Sequence, residues 1–548
     1  MRWYKLILLS ILSGLLLAFS WYPHGFPLLI FVAFVPLFIL SEALTHKNGK
    51  RPFLKALGYS YPAFAVWNAI TTYWISYCTV PGGIAAVVIN ALLQSLVFAL
   101  WHSCRTRIPQ RWTHSFLFIA LWMSFEYLHL NWDLTWPWLN LGNVFAVWPR
   151  CIQWYSVTGT FGGTLWVLVC NILFYQMLRH ESEYRARAWG QAAAFMACLI
   201  VPIVVSLCMY GITERKIDKS TPMKVLVVQP NTDVWNEQFR LTNQQQAQRI
   251  IDMITPYCDS QTCLAVCPES CIPHTVSLKA LKENSYPTDN PTYGCFPLFD
   301  KMTDTFPNLN LILGLSTYRL FDHPATITVK QIGEDQYIDL YNTAVCYNHN
   351  RYNGYYHKSK LVPGVEALPF PKVFGFLSDL LVDLGGSHGS LGKDTKQRVF
   401  SIAVNGKPVK TSTAICYESI YGELVSTFVK NGSNVLTVIT NDSWWNDSPG
   451  HAQHFEMARL RAIENHRYVL RAANGGFSGI IDPMGNVMQK TRYLERKVLA
   501  DTVYAQQDTT FYTRHGDYLA MIAVIFAIAG LAYTLFCIIK HLILKTKI

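Results

Sequence analysis

Eight stretches of this 548-residue chain are apolar for long enough to cross a bilayer, and seven of them precede residue 213. About 20 residues of helix span the hydrocarbon core, so each stretch is a candidate membrane helix. They run near 4–21, 27–44, 56–77, 82–103, 114–130, 157–178 and 190–212, with the eighth near 517–539. The first lacks an Ala-x-Ala-like cleavage site and is followed by six more, so it reads as an uncleaved helix rather than a signal peptide. The fifth is the weakest, because Glu126 and His129 interrupt it. The expectation is an α-helical membrane bundle of eight spans.

Between the seventh and eighth stretches the composition becomes that of an ordinary globular domain. Charged residues make up only 15% of the whole chain, against about 25% in typical soluble proteins, and the deficit lies in the apolar parts. The shift divides the chain into a seven-helix transmembrane region (1–212), a globular domain (213–515) and a C-terminal transmembrane helix with a short tail (516–548). Fifteen Lys and Arg residues, from Arg2 and Lys5 to Lys545 and Lys547, collect in one set of loops and ends. The opposite short loops carry only Arg150. Positive charge stays on the cytoplasmic side, so both termini are expected there. Residues 213–515 then lie on the outer face of a bacterial inner membrane, which in a Gram-negative cell is the periplasm. Most of the net charge of +11 is therefore topological. With no basic run interleaved with aromatics, a nucleic-acid partner is not expected.

Seven of the fourteen cysteines lie in or beside the apolar stretches as packing residues. The other seven are in the outer domain, where disulfides are chemically permitted, and Cys258 and Cys263 could pair. No Cys-x-x-Cys pair or histidine cluster has the spacing of a zinc site.

From Met223 the pattern alternates strands with helices, which argues for an α/β sheet flanked by helices. Lys224–Gln229, Leu264–Cys267, Leu311–Leu315, Ala344–Tyr347, Ser412–Ile415, Asn434–Thr440 and Gly479–Ile481 read as strands. Asn243–Tyr257, Glu418–Lys430 and His451–Arg467 read as helices, and 364–398 as a long insertion. Three of the β-prone stretches end on a reactive side chain: Glu269 after Leu264-Ala-Val-Cys-Pro, Lys358 after Tyr355-Tyr-His, and Cys416 after Thr413-Ala-Ile. That placement would gather them at the C-terminal edge of a sheet, where open α/β sheets build their sites. Singly, each has a plainer explanation as a capping carboxylate, a surface cation or an inert buried thiol. Together they supply a base, an electrostatic clamp and a nucleophile. Glu269 can take the thiol proton, Lys358 can hold a tetrahedral oxyanion, and the Tyr417 amide is the natural second donor.

These stretches resemble the Glu-Lys-Cys triad of the nitrilase (carbon–nitrogen hydrolase) superfamily, and the chain as a whole is similar to its membrane-bound branch, the apolipoprotein N-acyltransferases. The phrases that carry the likeness are Pro268-Glu269-Ser270-x-Ile272-Pro273, Lys358-x-x-Leu361-Val362-Pro363, Cys416-Tyr417-Glu418 and Asn441-Asp442-Ser443-Trp444. His454-Phe455-x-Met457-Ala458-Arg459-x-Arg461-Ala462, Gly516-Asp517-Tyr518 and the loop Pro137-Trp138-Leu139-Asn140-Leu141-Gly142 add to it. The resemblance implies an α-β-β-α sandwich with Glu269 as general base, Lys358 as oxyanion cation and Cys416 as acylated nucleophile. It implies a supporting role for Glu366 and places Trp235, Tyr417 and Glu418 near the substrate. Three positions depart from the family pattern: Gly364-Val365-Glu366 for Phe-Gly-Glu, Cys267 for a frequent Trp, and Asn474-Gly475-Gly476 for Asn-Asn-Gly.

The activity so implied is transfer of a fatty acyl chain from a phospholipid, typically phosphatidylethanolamine, through a Cys416 thioester. The acceptor is the α-amino group of a diacylglyceryl-cysteine at an apolipoprotein's N-terminus, and neither metal nor nucleotide is called for. Residues 364–398 could form a hydrophobic lid. The alternatives are a membrane-bound nitrilase-type amidase that passes the acyl group to water, and a transporter or receptor whose outer domain only binds a ligand. The intact triad counts against the second alternative. The number of spans counts against the first.

Overall fold

The structure, a computed structural model, describes residues 1–45, 51–179, 185–287, 289–374 and 390–545. It divides into two compact units, Met1–Met209 with Asp517–Ile548, and Tyr210–Gly516.

The first unit is helical. Helices run over Trp3–Phe19, Val35–Thr45, Pro52–Thr72, Val80–Arg105, Arg111–Asn131, Thr160–Leu178, Arg185–Lys216 and Tyr518–Lys545, so every expected apolar stretch contains one. Among the described residues, five helical segments are long and apolar enough to cross a membrane. They are Pro27–Thr45, Val80–Arg105, Thr160–Leu178, Trp189–Lys216 and Tyr518–Leu544. The polar side chains of the fifth expected span face inward. Glu126 accepts from the Leu141 amide (2.9 Å), Trp122 Nε1 (3.1 Å) and Thr164 Oγ1 (2.7 Å), and His129 meets Asn90 (2.9 Å). A carboxylate is tolerated in such a helix only when it turns to the bundle interior and finds donors. Here the donors include the backbone of the Pro137–Gly142 loop, which Glu126 thereby anchors.

Among the described residues the second unit contains fourteen strands: β1 (Pro222–Gln229), β2 (Thr262–Val266), β3 (Ile272–Ser277), β4 (Asn310–Phe321), β5 (Lys330–Gly333), β6 (Gln336–Asn348), β7 (Arg351–His357), β8 (Phe400–Val404), β9 (Lys407–Ile415), β10 (Val435–Thr440), β11 (Val469–Ala473), β12 (Gly479–Ile481), β13 (Val487–Lys490) and β14 (Lys497–Tyr504). They form two sheets rather than the single one that alternation suggests. The first has the order β14-β1-β2-β4-β6-β5, with β3 also paired to β4 and β7 to β6. The second has the order β13-β12-β11-β10-β9-β8. β1 and β2 pack against β11, so the sheets lie face to face.

Strand β1 shows why. Leu226 and Val228 point into a core with Ile250 and Ile254 of helix Asn243–Ile254 and Phe296 and Phe299 of helix Phe296–Thr305. Side chains alternate across a strand, so Val225 and Val227, also fully buried, face the second sheet. On the far side of that sheet, helix Pro449–Asn465 packs on β11 and on helix Gly422–Lys430. The layers are α-β-β-α. Thr242 starts helix Asn243–Ile254 with a capping box, its hydroxyl accepting from the Gln245 amide while Gln245 Oε1 accepts from the Thr242 amide.

Short or irregular elements escape the sequence pattern, among them β3, β5, β8 and the helix Phe296–Thr305. The helix expected to begin at Glu418 instead opens with a tight turn over Cys416–Ile420, and the α-helix proper begins at Gly422. Of the 364–398 insertion, residues 375–389 lie outside the described residues, and a lid there is not described. Cys258 and Cys263 are both free thiols.

Candidate active site

Glu269, Lys358 and Cys416 each stand just past the end of a strand, but not all on one sheet. Strand β2 runs parallel to β4, and β6 antiparallel to both β4 and β7, so β2 and β7 share a direction. Glu269 and Lys358 therefore leave the first sheet at the same end. Cys416 leaves the second sheet from β9. The expected single sheet edge is replaced by the facing ends of two sheets.

A close approach of backbones seats Glu269. Gly314 in β4 lies under the Pro268–Ser270 turn, and a Cβ there would stand 2.4 Å from the Pro268 carbonyl oxygen. With that room, Glu269 Oε1 accepts from Asn342 Nδ2 (2.7 Å) and meets Lys358 Nζ (3.3 Å), while Oε2 accepts from the Asn441 amide (3.0 Å). Lys358 extends the β6–β7 ladder through its own amide to the Asn342 carbonyl (2.9 Å). Its ammonium is 1% exposed and also meets Glu366 Oε1 at 2.8 Å. Asn342 Nδ2 bridges to that same oxygen (3.2 Å), and the Val362 amide holds Glu366 Oε2 (2.9 Å). The ammonium is thus clamped between two carboxylates. Burial opposes its charge, yet Glu269, Glu366 and Cys416 together hold its pKa well above the ordinary lysine value.

Cys416 has φ of +51°, in the left-handed region. Burial first and the Glu269 carboxylate second push its thiol above the usual range, with Lys358 opposing. The resting pair is accordingly a neutral thiol beside a carboxylate, the state in which a base is needed to make the nucleophile. Thr440 neighbours the sulfur, with its hydroxyl proton donated to Asp442 Oδ1 (2.7 Å).

The other expected residues divide. Glu366 joins the cluster directly. Glu418 does not line a cavity: it is fully buried and acts as a brace. Its Oε1 accepts from Tyr356 Oη (2.6 Å), the Ser359 amide (2.6 Å) and Ser359 Oγ (2.7 Å), and its Oε2 from the Ile415 amide (2.8 Å). It therefore ties the loop after Lys358 to the residue before Cys416. Tyr417 is buried, its ring set edge-on to Tyr421 at 5.3 Å. Trp235 is 58% exposed, with Trp444 edge-on at 5.1 Å. Trp444 belongs to the turn that begins at Asn441, whose amide holds Glu269.

Sequence reasoning missed Asn342, a single amide within a strand that gives no local signal. It also left without a role Asp442 and His454, which lie inside quoted phrases, and Arg471, which does not. Among the described residues, no group of three or more His, Cys, Asp or Glu side chains is arranged to hold a metal ion.

The model of the carbon–nitrogen hydrolase family matches residues 224–509, just over half of the chain. The chain belongs to that family. A second model, the apolipoprotein N-acyltransferase N-terminal domain, matches residues 13–173. Curated relatives of this carbon–nitrogen hydrolase run nearly its whole length. The apolipoprotein N-acyltransferase of Chlorobaculum tepidum is 26% identical, over 94% of this chain and 93% of its own. That of Thermotoga maritima is 25% identical, over 96% and 94%. Among solved structures, an amidase from Nesterenkonia sp. is similar over 56% of this chain and 98% of its own, at 13% identity and a TM-score of 0.37. With its apolar helices, this carbon–nitrogen hydrolase is a membrane protein.

Proposed function

We propose that this chain is an apolipoprotein N-acyltransferase. In this reading it moves a fatty acyl chain from a phospholipid to the α-amino group of an N-terminal diacylglyceryl-cysteine. The observation that carries it is the joining of the two family matches: a carbon–nitrogen hydrolase site lies in the same chain as a helical unit of the acyltransferase type. The chain spans the inner membrane several times with both termini in the cytoplasm, and residues 213–515 lie in the periplasm. The bias of Lys and Arg supports this orientation.

In the first half-reaction Glu269 takes the Cys416 proton and the sulfur attacks the ester carbonyl of the phospholipid. Lys358 faces the oxyanion, the C–O bond breaks, and the proton on Glu269 passes to the departing lysophospholipid hydroxyl. In the second, the acceptor amine attacks the thioester and gives its proton to Glu269. The C–S bond breaks as the amide forms, and Cys416 recovers the proton. Preorganised charge at the developing oxyanion is the largest such contribution in acyl transfer, and Lys358 is held ready for it by Glu366 and Asn342.

Incubating the protein with phosphatidylethanolamine and a diacylglyceryl-cysteine peptide tests this. The peptide should gain one acyl chain on its α-amine. With that amine acetylated, acyl-Cys416 should accumulate instead. An unmodified peptide beside accumulating free fatty acid would sink the transferase and leave the amidase.

A further inference from the structure

The backbone at Cys416 demands an explanation that the triad does not supply. A non-glycine residue at φ +51° persists only where its surroundings over-determine it. Two donors grip its carbonyl oxygen: Ser419 Oγ at 2.7 Å and His454 Nε2 at 3.2 Å. His454 Nε2 also lies 2.9 Å from Ser419 Oγ. The Cys416 carbonyl can only accept and the Ser419 proton is spent on it, so Nε2 must carry a hydrogen. On the other side of the ring, Arg471 Nη2 lies 3.1 Å from Nδ1 and 2.6 Å from Asp442 Oδ2, and donates to both. Asp442 Oδ1, 3.0 Å from Nδ1, accepts from Thr440 Oγ1 at 2.7 Å. Thr440 is in turn the neighbour of the Cys416 sulfur. His454, Asp442 and Arg471 are all fully buried. Burial and Arg471 hold the imidazole below its ordinary pKa, which keeps it neutral.

We propose that His454 is a positioning residue for acyl transfer. Its Nε2–H, fixed in that tautomer by Arg471, which Asp442 holds against Nδ1, locks the Cys416 carbonyl and with it the left-handed backbone that aims the sulfur between Glu269 and Lys358. Buried charges persist only when paired, and here the pairing is arranged around one imidazole rather than around the substrate. The inference rests on Cys416 being the acylated nucleophile. It explains why a histidine, a serine, an aspartate and an arginine converge beneath a cysteine they never relieve of its proton.

The test compares His454→Gln, whose amide can donate from near the Nε2 position, with His454→Leu and Ser419→Ala. The full-length protein is used in phosphatidylethanolamine micelles with the diacylglyceryl peptide. Misaiming a nucleophile by about an ångström costs roughly 100-fold, so His454→Leu should slow Cys416 acylation about that much with the peptide KM unchanged. Alkylation of Cys416 by iodoacetamide should change in parallel. His454→Gln should recover most of the rate, and Ser419→Ala, which removes one of the two donors, should lose about 3–10-fold.

His454→Leu acylating at the parental rate would overturn the proposal. So would His454→Gln failing as badly as His454→Leu while melting at the parental temperature. Should His454→Leu not fold, a parental rate in Ser419→Ala would do the same. Parental Cys416 that never becomes acylated would instead refute the acyltransferase reading itself, while the iodoacetamide comparison would still report on the positioning.

Discussion

Glu418 separates a residue that touches substrate from one that holds the site together. Its two oxygens take hydrogen bonds from a tyrosine, a serine hydroxyl and the amides of Ser359, Lys360 and Ile415, with no solvent exposure. Glu418→Gln keeps one acceptor oxygen but turns an NH₂ toward one set of these donors. The least disruptive orientation leaves the Ile415 amide facing a donor, at about 1–3 kcal/mol for one unsatisfied buried group. Glu418→Ala takes the acceptor from three amides, those of Ser359, Lys360 and Ile415, a loss of about 3–9 kcal/mol, which is a large part of a typical folding stability of roughly 5–15 kcal/mol. At about 2 °C per kcal/mol for a unit of this size, the glutamine variant should melt about 2–6 °C lower and the alanine variant lower still. The assay is thermal melting of the detergent-solubilised protein beside acyl-transfer kinetics. A brace predicts that melting temperature and Cys416 acylation fall together, with the peptide KM little changed. Parental melting of Glu418→Ala combined with a raised KM for one substrate would refute the brace and place Glu418 against that substrate.

Cys416→Ala should abolish acyl transfer at unchanged melting temperature, and Cys416→Ser should nearly do so, as read by mass of the acyl-enzyme. Glu269→Gln should stop acylation and yet make the thiol more reactive to iodoacetamide. The Glu269 charge raises the Cys416 pKa, so its removal lowers that pKa, and the alkylation–pH profile should shift to lower pH. Lys358→Ala should slow both half-reactions by about 10²–10³-fold, measured separately by single-turnover acylation and by amine discharge of preformed acyl-Cys416. Reporters fused after Asn48, Arg107, Arg185 and Ile548 should read as cytoplasmic, and one near Lys301 as periplasmic.

The candidate triad was legible because each member sits in or just after an apolar or β-prone run, a signal contained in a few residues. The existence of two facing sheets was not legible from the strands themselves. A strand buried on both sides and one buried on a single broad face both read as apolar runs, and only the superfamily resemblance pointed to a sandwich. Glu366 was visible as an acidic residue near Lys358, but its partner Asn342 was not, since a lone amide in β6 becomes meaningful only when β7 brings Lys358 alongside. Asp442 and His454 were seen as parts of phrases while their joint purpose stayed hidden. Their link runs through Arg471 and through the carbonyl of Cys416, in the turn after β9, and no spacing along the chain encodes that.

Lys358 between two carboxylates also fixes the electrical character of the reaction. With a neutral thiol, the cluster of Glu269, Lys358 and Glu366 rests with one negative charge in excess. In the proposed reaction, when the proton moves to Glu269 and the oxyanion forms, one negative charge disappears and another arises beside the same ammonium, so the total is unchanged. The same holds when an amine attacks the thioester. Neither proposed half-reaction then has to draw in or expel a counterion. The rate at saturating substrate should be indifferent to ionic strength and to the voltage across the membrane.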